Sequence, residues 1–154
     1  HVVMERARWF DALPWLYRVL ALAAAAAVLV LAGAWMRRGR RVRDQPSARR
    51  SALWLYLTAV AWLVVLGMLA VFFRGAQADQ TGLFYGYPGG LFTAALWLVV
   101  PVMAMTAACV AMLGPAWKAR DWGGWRKLRH TLAVASFALA AWMLWHWNLV
   151  GWKL

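Results

Sequence analysis

The feature that most constrains this chain is a set of four long apolar stretches, each free of Asp, Glu, Lys and Arg through its centre. Between Arg18 and Arg37 lies VLALAAAAAVLVLAGAWM, and between Arg50 and Arg74 lies SALWLYLTAVAWLVVLGMLAVFF. A third stretch runs from about Leu91 to Leu113, opened by Pro88-Gly89-Gly90 and closed by Gly114-Pro115. The fourth runs from about Thr131 to Leu149. Roughly 20 helical residues cross the ~30 Å of hydrocarbon in a bilayer. Every backbone N–H and C=O in that layer must be satisfied without water, so these stretches are expected to be helices. The expected spans are about 15–36, 52–73, 91–113 and 131–149. The predicted fold class is all-α, an integral membrane bundle of four transmembrane helices. A water-soluble domain of 154 residues has no core large enough to hide four such runs.

The charges lie between these stretches, and their distribution predicts an orientation. The loop at 37–50, RRGRRVRDQPSARR, holds seven Arg, the loop at 74–90 holds one, and the loop at 114–130 holds five Lys or Arg. Short basic loops stay in the cytoplasm. The first and third loops are therefore expected inside and the second outside, which makes the chain N-out/C-out. The same pattern answers the question raised by a net charge of +12. A nucleic-acid surface needs its basic groups on one accessible face, whereas here they flank apolar runs. No nucleic acid is expected as a partner. The Arg run at 37–43 is instead expected to meet anionic lipid head groups, in addition to its topological role.

Aromatic residues mark the same boundaries. Trp15 and Tyr17 precede the first span, and Trp35 ends it. Phe84, Tyr85 and Tyr87 precede the third; Trp117, Trp122 and Trp125 sit in the third loop; Trp142, Trp145, Trp147 and Trp152 gather near the end of the fourth. Rings with one polar edge prefer the head-group level, so these are expected to form an interfacial belt. Residues 1–14, with mixed charge and Trp9, Phe10, Leu13 and Pro14, read as an extracytoplasmic linker or interfacial segment ahead of a transmembrane domain at 15–154. Glu5, Arg6, Arg8 and Asp11 interrupt any signal-peptide core there, and His1 reads as an internal position or a processed end.

Chemistry inside a membrane needs polar groups at depth, and these spans offer few. Proton-coupled transport calls for an intramembrane carboxylate, and the first span, including Ala23 to Val30, supplies none. Two histidines clamping one haem would have to meet, yet His130 and His146 are separated by about 24 Å of rise on one helix. A single-His haem site would show a Soret band lost on His146→Ala. The sequence reading instead makes His130 an interfacial basic residue and places His146 among Trp145 and Trp147. Ser47, Ser51 and Ser136 stand in no nucleophile motif, and no phosphate-binding glycine pattern occurs. The single Cys109 excludes an intrachain disulfide and a thiolate metal cluster, and reads as a small buried hydrophobe. No catalytic, cofactor-binding or metal-ligating residue is assigned. Pro101 is expected to kink the third span. The pairs Ala23 with Ala27, Ala104 with Ala108 and Ala107 with Ala111 place small residues four apart, as in a packed bundle or a dimer contact. Asn148 is expected to cap the last helix or to contact residues 83–87.

Two ends of the chain resemble a known family. Trp125-Arg126-Lys127-Leu128-Arg129-His130-Thr131-Leu132, an Ala-rich span, and Trp145-His146-Trp147-Asn148-Leu149-Val150-Gly151-Trp152 are similar to the C-terminal transmembrane region of bacterial beta-lactamase-like serine hydrolases, relatives of penicillin-binding proteins. Arg8-Trp9-Phe10-Asp11-Ala12-Leu13-Pro14-Trp15 resembles the linker that follows the hydrolase domain in that family. The chain departs from the pattern at Arg129-His130, where the family places His followed by an aromatic. None of the family's catalytic residues has a counterpart here. The resemblance implies a non-catalytic anchor in the bacterial inner membrane, with the bilayer and an upstream hydrolase domain of the same chain as its partners. The alternative is a stand-alone small membrane protein, either an accessory subunit or a carrier of an apolar substrate.

Overall fold

The structure, a computed structural model, describes residues 13–37, 46–78, 90–120 and 122–150. It contains α1 (Leu13–Trp35), α2 (Pro46–Ala78), α3 (Gly90–Ala111), the short α4 (Leu113–Lys118) and α5 (Gly124–His146). No strand occurs among the described residues. Four stretches are long and apolar enough to cross a membrane: Pro14–Trp35, Ala48–Gly75, Gly90–Lys118 and Gly124–His146. This is the organisation of a multi-pass membrane protein. The expected linker up to residue 12, the Arg run at 38–43, the aromatic residues Phe84, Tyr85 and Tyr87, and Trp152 lie outside the described residues.

Two helices begin earlier than the apolar runs alone suggest. α2 opens at Pro46 and so draws Ser47 to Arg50 into its first turns. Proline suits a helix start, since its missing N–H is one that would have no partner there. α5 opens at Gly124, with Trp125 to His130 already helical ahead of the apolar run. Neither helix has an acidic residue in its first turn, although the positive end of the helix dipole favours acids there and disfavours Arg and Lys. The arginines at these starts therefore oppose local helix stability, so their placement answers to a different requirement.

The spans run alternately up and down. The end of α1 meets the start of α2 where Arg37 donates to the Tyr56 hydroxyl at 3.2 Å. Ser51, near the start of α2, lies against Met112 at the end of α3 and against His130 near the start of α5. These four helix ends make one basic end of the bundle. At the opposite end, Tyr17 of α1 meets Phe73 of α2 edge-on at 6.1 Å, and Phe72 of α2 stacks on Phe92 of α3 at 4.2 Å. In between, the helices form a ring: α1 packs on α2 and α5, and α3 packs on the same two helices. α1 and α3 do not touch among the described residues.

The centre of the ring is apolar. Ala23 and Ala27 of α1, Ala59, Trp62 and Val65 of α2, and Phe137, Ala140 and Leu144 of α5 are fully buried. The Trp62 and Phe137 rings stack at 6.2 Å across the ring. The small-residue pairs thus separate: Ala23 and Ala27 face the core, whereas Ala104, Ala107 and Ala111 point outward from α3. α3 continues through the exposed Pro101 without a break, and the chain is interrupted instead at Met112. There Pro115 cannot donate to the carbonyl four residues back, so the helix restarts as α4.

α5 ends in a Schellman motif. Leu149 N–H donates to the Leu144 carbonyl at 2.9 Å and Asn148 N–H to that of Trp145 at 3.1 Å. Asn148 takes φ 56° to allow this, and Asn tolerates the left-handed region better than most residues. Its expected capping role is met by backbone conformation, while residues 83–87 lie outside the described residues.

Candidate functional site

The buried polar side chains among the described residues are Ser51, Thr58, Thr106 and His130. Each one joins two helices. Trp62 Nε1 of α2 donates to Thr106 Oγ1 of α3 at 3.1 Å, and Thr106 in turn donates to the Val102 carbonyl at 2.8 Å. Thr58 Oγ1 of α2 lies 3.2 Å from Cys109 Sγ of α3 and donates to the Trp54 carbonyl. These hydroxyls satisfy themselves on their own helix and bond across to the next, as polar groups between membrane helices do. Cys109 is buried, as its surroundings in sequence imply, but it also takes part in this α2–α3 seam.

The third contact is between Ser51 and His130, whose Oγ and Nε2 lie 3.1 Å apart. A serine hydroxyl bonded to an imidazole is also the first half of a nucleophile. Ser51 is only 1% exposed, however, and does not line the adjoining cleft. Its Oγ also lies 3.5 Å from the Met112 carbonyl. The pair therefore works as a bond between α2 and α5. His130, expected at the interface, stands at the basic end of the bundle but is enclosed by neighbouring helices, at 6% exposure. Sequence could have pointed to the pair, because Ser51 and His130 open two spans that must begin at the same end of the bundle.

Outward from Ser51 the contacts continue as a chain. The Trp122 ring meets His130 edge-on at 5.2 Å, and the Arg126 guanidinium lies 4.3 Å over the Trp122 ring. Trp122 is 4% exposed, so it is not part of the expected belt. Trp15, Trp35, Trp117, Trp125, Trp142 and Trp145 are exposed, as a belt requires. Lys127 and Trp117 tie α4 to α5. Lys127 Nζ donates to the Trp117 carbonyl at 2.7 Å, and Trp117 Nε1 donates to Thr131 Oγ1 at 2.9 Å.

Beside this chain a cleft of about 500 Å³ opens between α1, α2 and α5. Its apolar walls include Leu22, Ala25, Leu29 and Ala133, and its rim carries Arg37, Tyr56, Arg126 and Arg129. Trp122 also lines it, and the buried indole N–H of Trp122 finds no acceptor among the described residues. Ser136 lines it too, with its hydroxyl donating to the Leu132 carbonyl. Among the described residues no three His, Cys, Asp or Glu side chains gather as a metal site. His130 has its Nε2 engaged by Ser51, and His146 stacks on Trp142 at 5.6 Å. No family model matches the chain, and neither a curated protein nor a solved structure is significantly similar to it.

Proposed function

We propose that this chain is the membrane-anchoring part of a larger protein. In this reading it is a non-catalytic four-helix bundle of the bacterial inner membrane that holds an extracytoplasmic beta-lactamase-like serine hydrolase domain. The observation that carries the reading is the use made of the polar interior. Ser51, Thr58, Thr106 and His130 are all engaged in holding helices together, which is what a static anchor requires and what a transport path or catalytic centre would not leave. The arginines and lysines gathered at one end support an N-out/C-out orientation, with that end in the cytoplasm. An anchor of this orientation presents its first residues on the side where such a hydrolase works.

A topology assay tests the reading, with reporters fused at each end and inside the loops at 37–50 and 74–90. Both ends outside and the Arg-rich loop inside sustain the anchor. A cytoplasmic N-terminus sinks it and leaves the stand-alone membrane protein. The cleft favours that second reading in one respect, because it offers room for a ligand with an apolar portion.

A further inference from the structure

We infer that the cleft between α1, α2 and α5 binds one anionic phospholipid from the leaflet at the basic end of the bundle. Small residues line the cleft and leave it room: Ala25, Ala26 and Gly33 on α1 and Ala133 on α5. It is open on its flank, where Leu22, Leu29 and Leu132 are exposed. In a bilayer that flank faces acyl chains, so a chain can lie along these side chains without leaving hydrocarbon. Its volume of about 500 Å³ falls within the roughly 300–1,000 Å³ of small-molecule sites.

The rim selects the head group. Arg37, Arg126 and Arg129 line the same cleft, and guanidinium groups hold phosphate oxygens through paired N–H donors. Trp122 adds a buried N–H that lacks an acceptor, and a phosphate or ester oxygen supplies one. A choline head group would bring its own cation into this rim, so an anionic lipid is preferred over a zwitterionic one. Basic pockets between membrane helices bind acidic head groups on the same principle. The inference rests on membrane insertion alone; it stands whether or not a hydrolase precedes the chain.

The test uses the full chain in mild detergent, with native mass spectrometry during titration with phosphatidylglycerol or phosphatidylcholine of matched acyl chains. One phosphatidylglycerol is expected to be retained, about tenfold more tightly than phosphatidylcholine. Arg126→Gln with Arg129→Gln is expected to erase the preference. Ala25→Phe with Ala133→Phe is expected to lose the lipid while keeping every charge. Arg49→Gln with Arg50→Gln removes the same charge from α2 outside this cleft and is expected to leave binding unchanged. Thermal melts within a few degrees of the parent protein confirm that each variant is folded. Equal binding of the two lipids overturns the inference. So does an equal loss in the Arg49/Arg50 variant, which would mean diffuse attraction, or a dimer that forms over the cleft and excludes lipid.

Discussion

α5 packs in two very different ways along its length. In the middle of the bundle it leaves no space: Phe137, Ala140 and Leu144 are fully buried, and Phe137 stacks on Trp62 of α2 across the ring. Toward α1 at the basic end it stands off, and a cleft of about 500 Å³ remains. Both contacts use alanines, so residue size alone does not separate them. On the tight side small and large residues are buried together, with Ala59 and Ala140 in the same core as the stacked Trp62 and Phe137. On the open side the lining includes small residues from both helices, Ala25, Ala26 and Gly33 of α1 and Ala133 of α5. A bundle in lipid gains its cohesion from close packing and interhelical hydrogen bonds, because the surrounding chains are as apolar as its own core. An unfilled interface is therefore a weak contact and an available binding place at once.

The largest break in this contrast comes from Trp62. Trp62→Ala removes a buried ring, its stack on Phe137 and its hydrogen bond to Thr106. Core truncations of this size cost about 3–5 kcal/mol. Unfolding in mixed micelles reads this directly, and a loss below about 1 kcal/mol would mean that the packed middle of the bundle is not where its cohesion lies.

Adding volume gives the next effect, and it separates the two sides within one experiment. Ala59→Leu overfills the tight side and is expected to cost about 1–3 kcal/mol. Ala25→Leu enters the cleft and is expected to be close to neutral. Equal costs at the two positions would abolish the distinction.

The smallest effect sharpens the boundary between them, where His130 both lines the cleft and bonds Ser51. Ser51→Ala and His130→Phe, alone and together, form a double-mutant cycle. The coupling expected for such a bond between membrane helices is about 0.6–1.7 kcal/mol. Strict additivity would show that the 3.1 Å approach carries no energy.

The four long helices were legible because the apolar runs that define them need only length and the absence of charge. Their starts were less legible. Ser47 to Arg50 and Trp125 to His130 looked like loop because they are polar and basic, yet backbone hydrogen bonding continues through them. Trp122 shows the same limit from the other side. Its position among Trp117 and Trp125 marks it as belt, but contacts with His130 and Arg126 bury it. Asn148 was readable as a cap from residue type and place alone, and the Schellman bonds account for it locally.

Sequence by itself determined that this chain forms membrane-length helices, and where their apolar centres fall. Hydrocarbon imposes that through a local rule, since each span must close its own backbone hydrogen bonds. Only the tertiary structure decided which faces meet. Ser51 finds His130 across 79 positions of sequence, and Thr58 finds Cys109 across 51. Ala23 and Ala104 sit in equally apolar runs, but one is fully buried in the core and the other faces outward. The rotation of each helix about its axis sets these outcomes. That rotation follows from the summed packing of several neighbours, which no single run of residues contains.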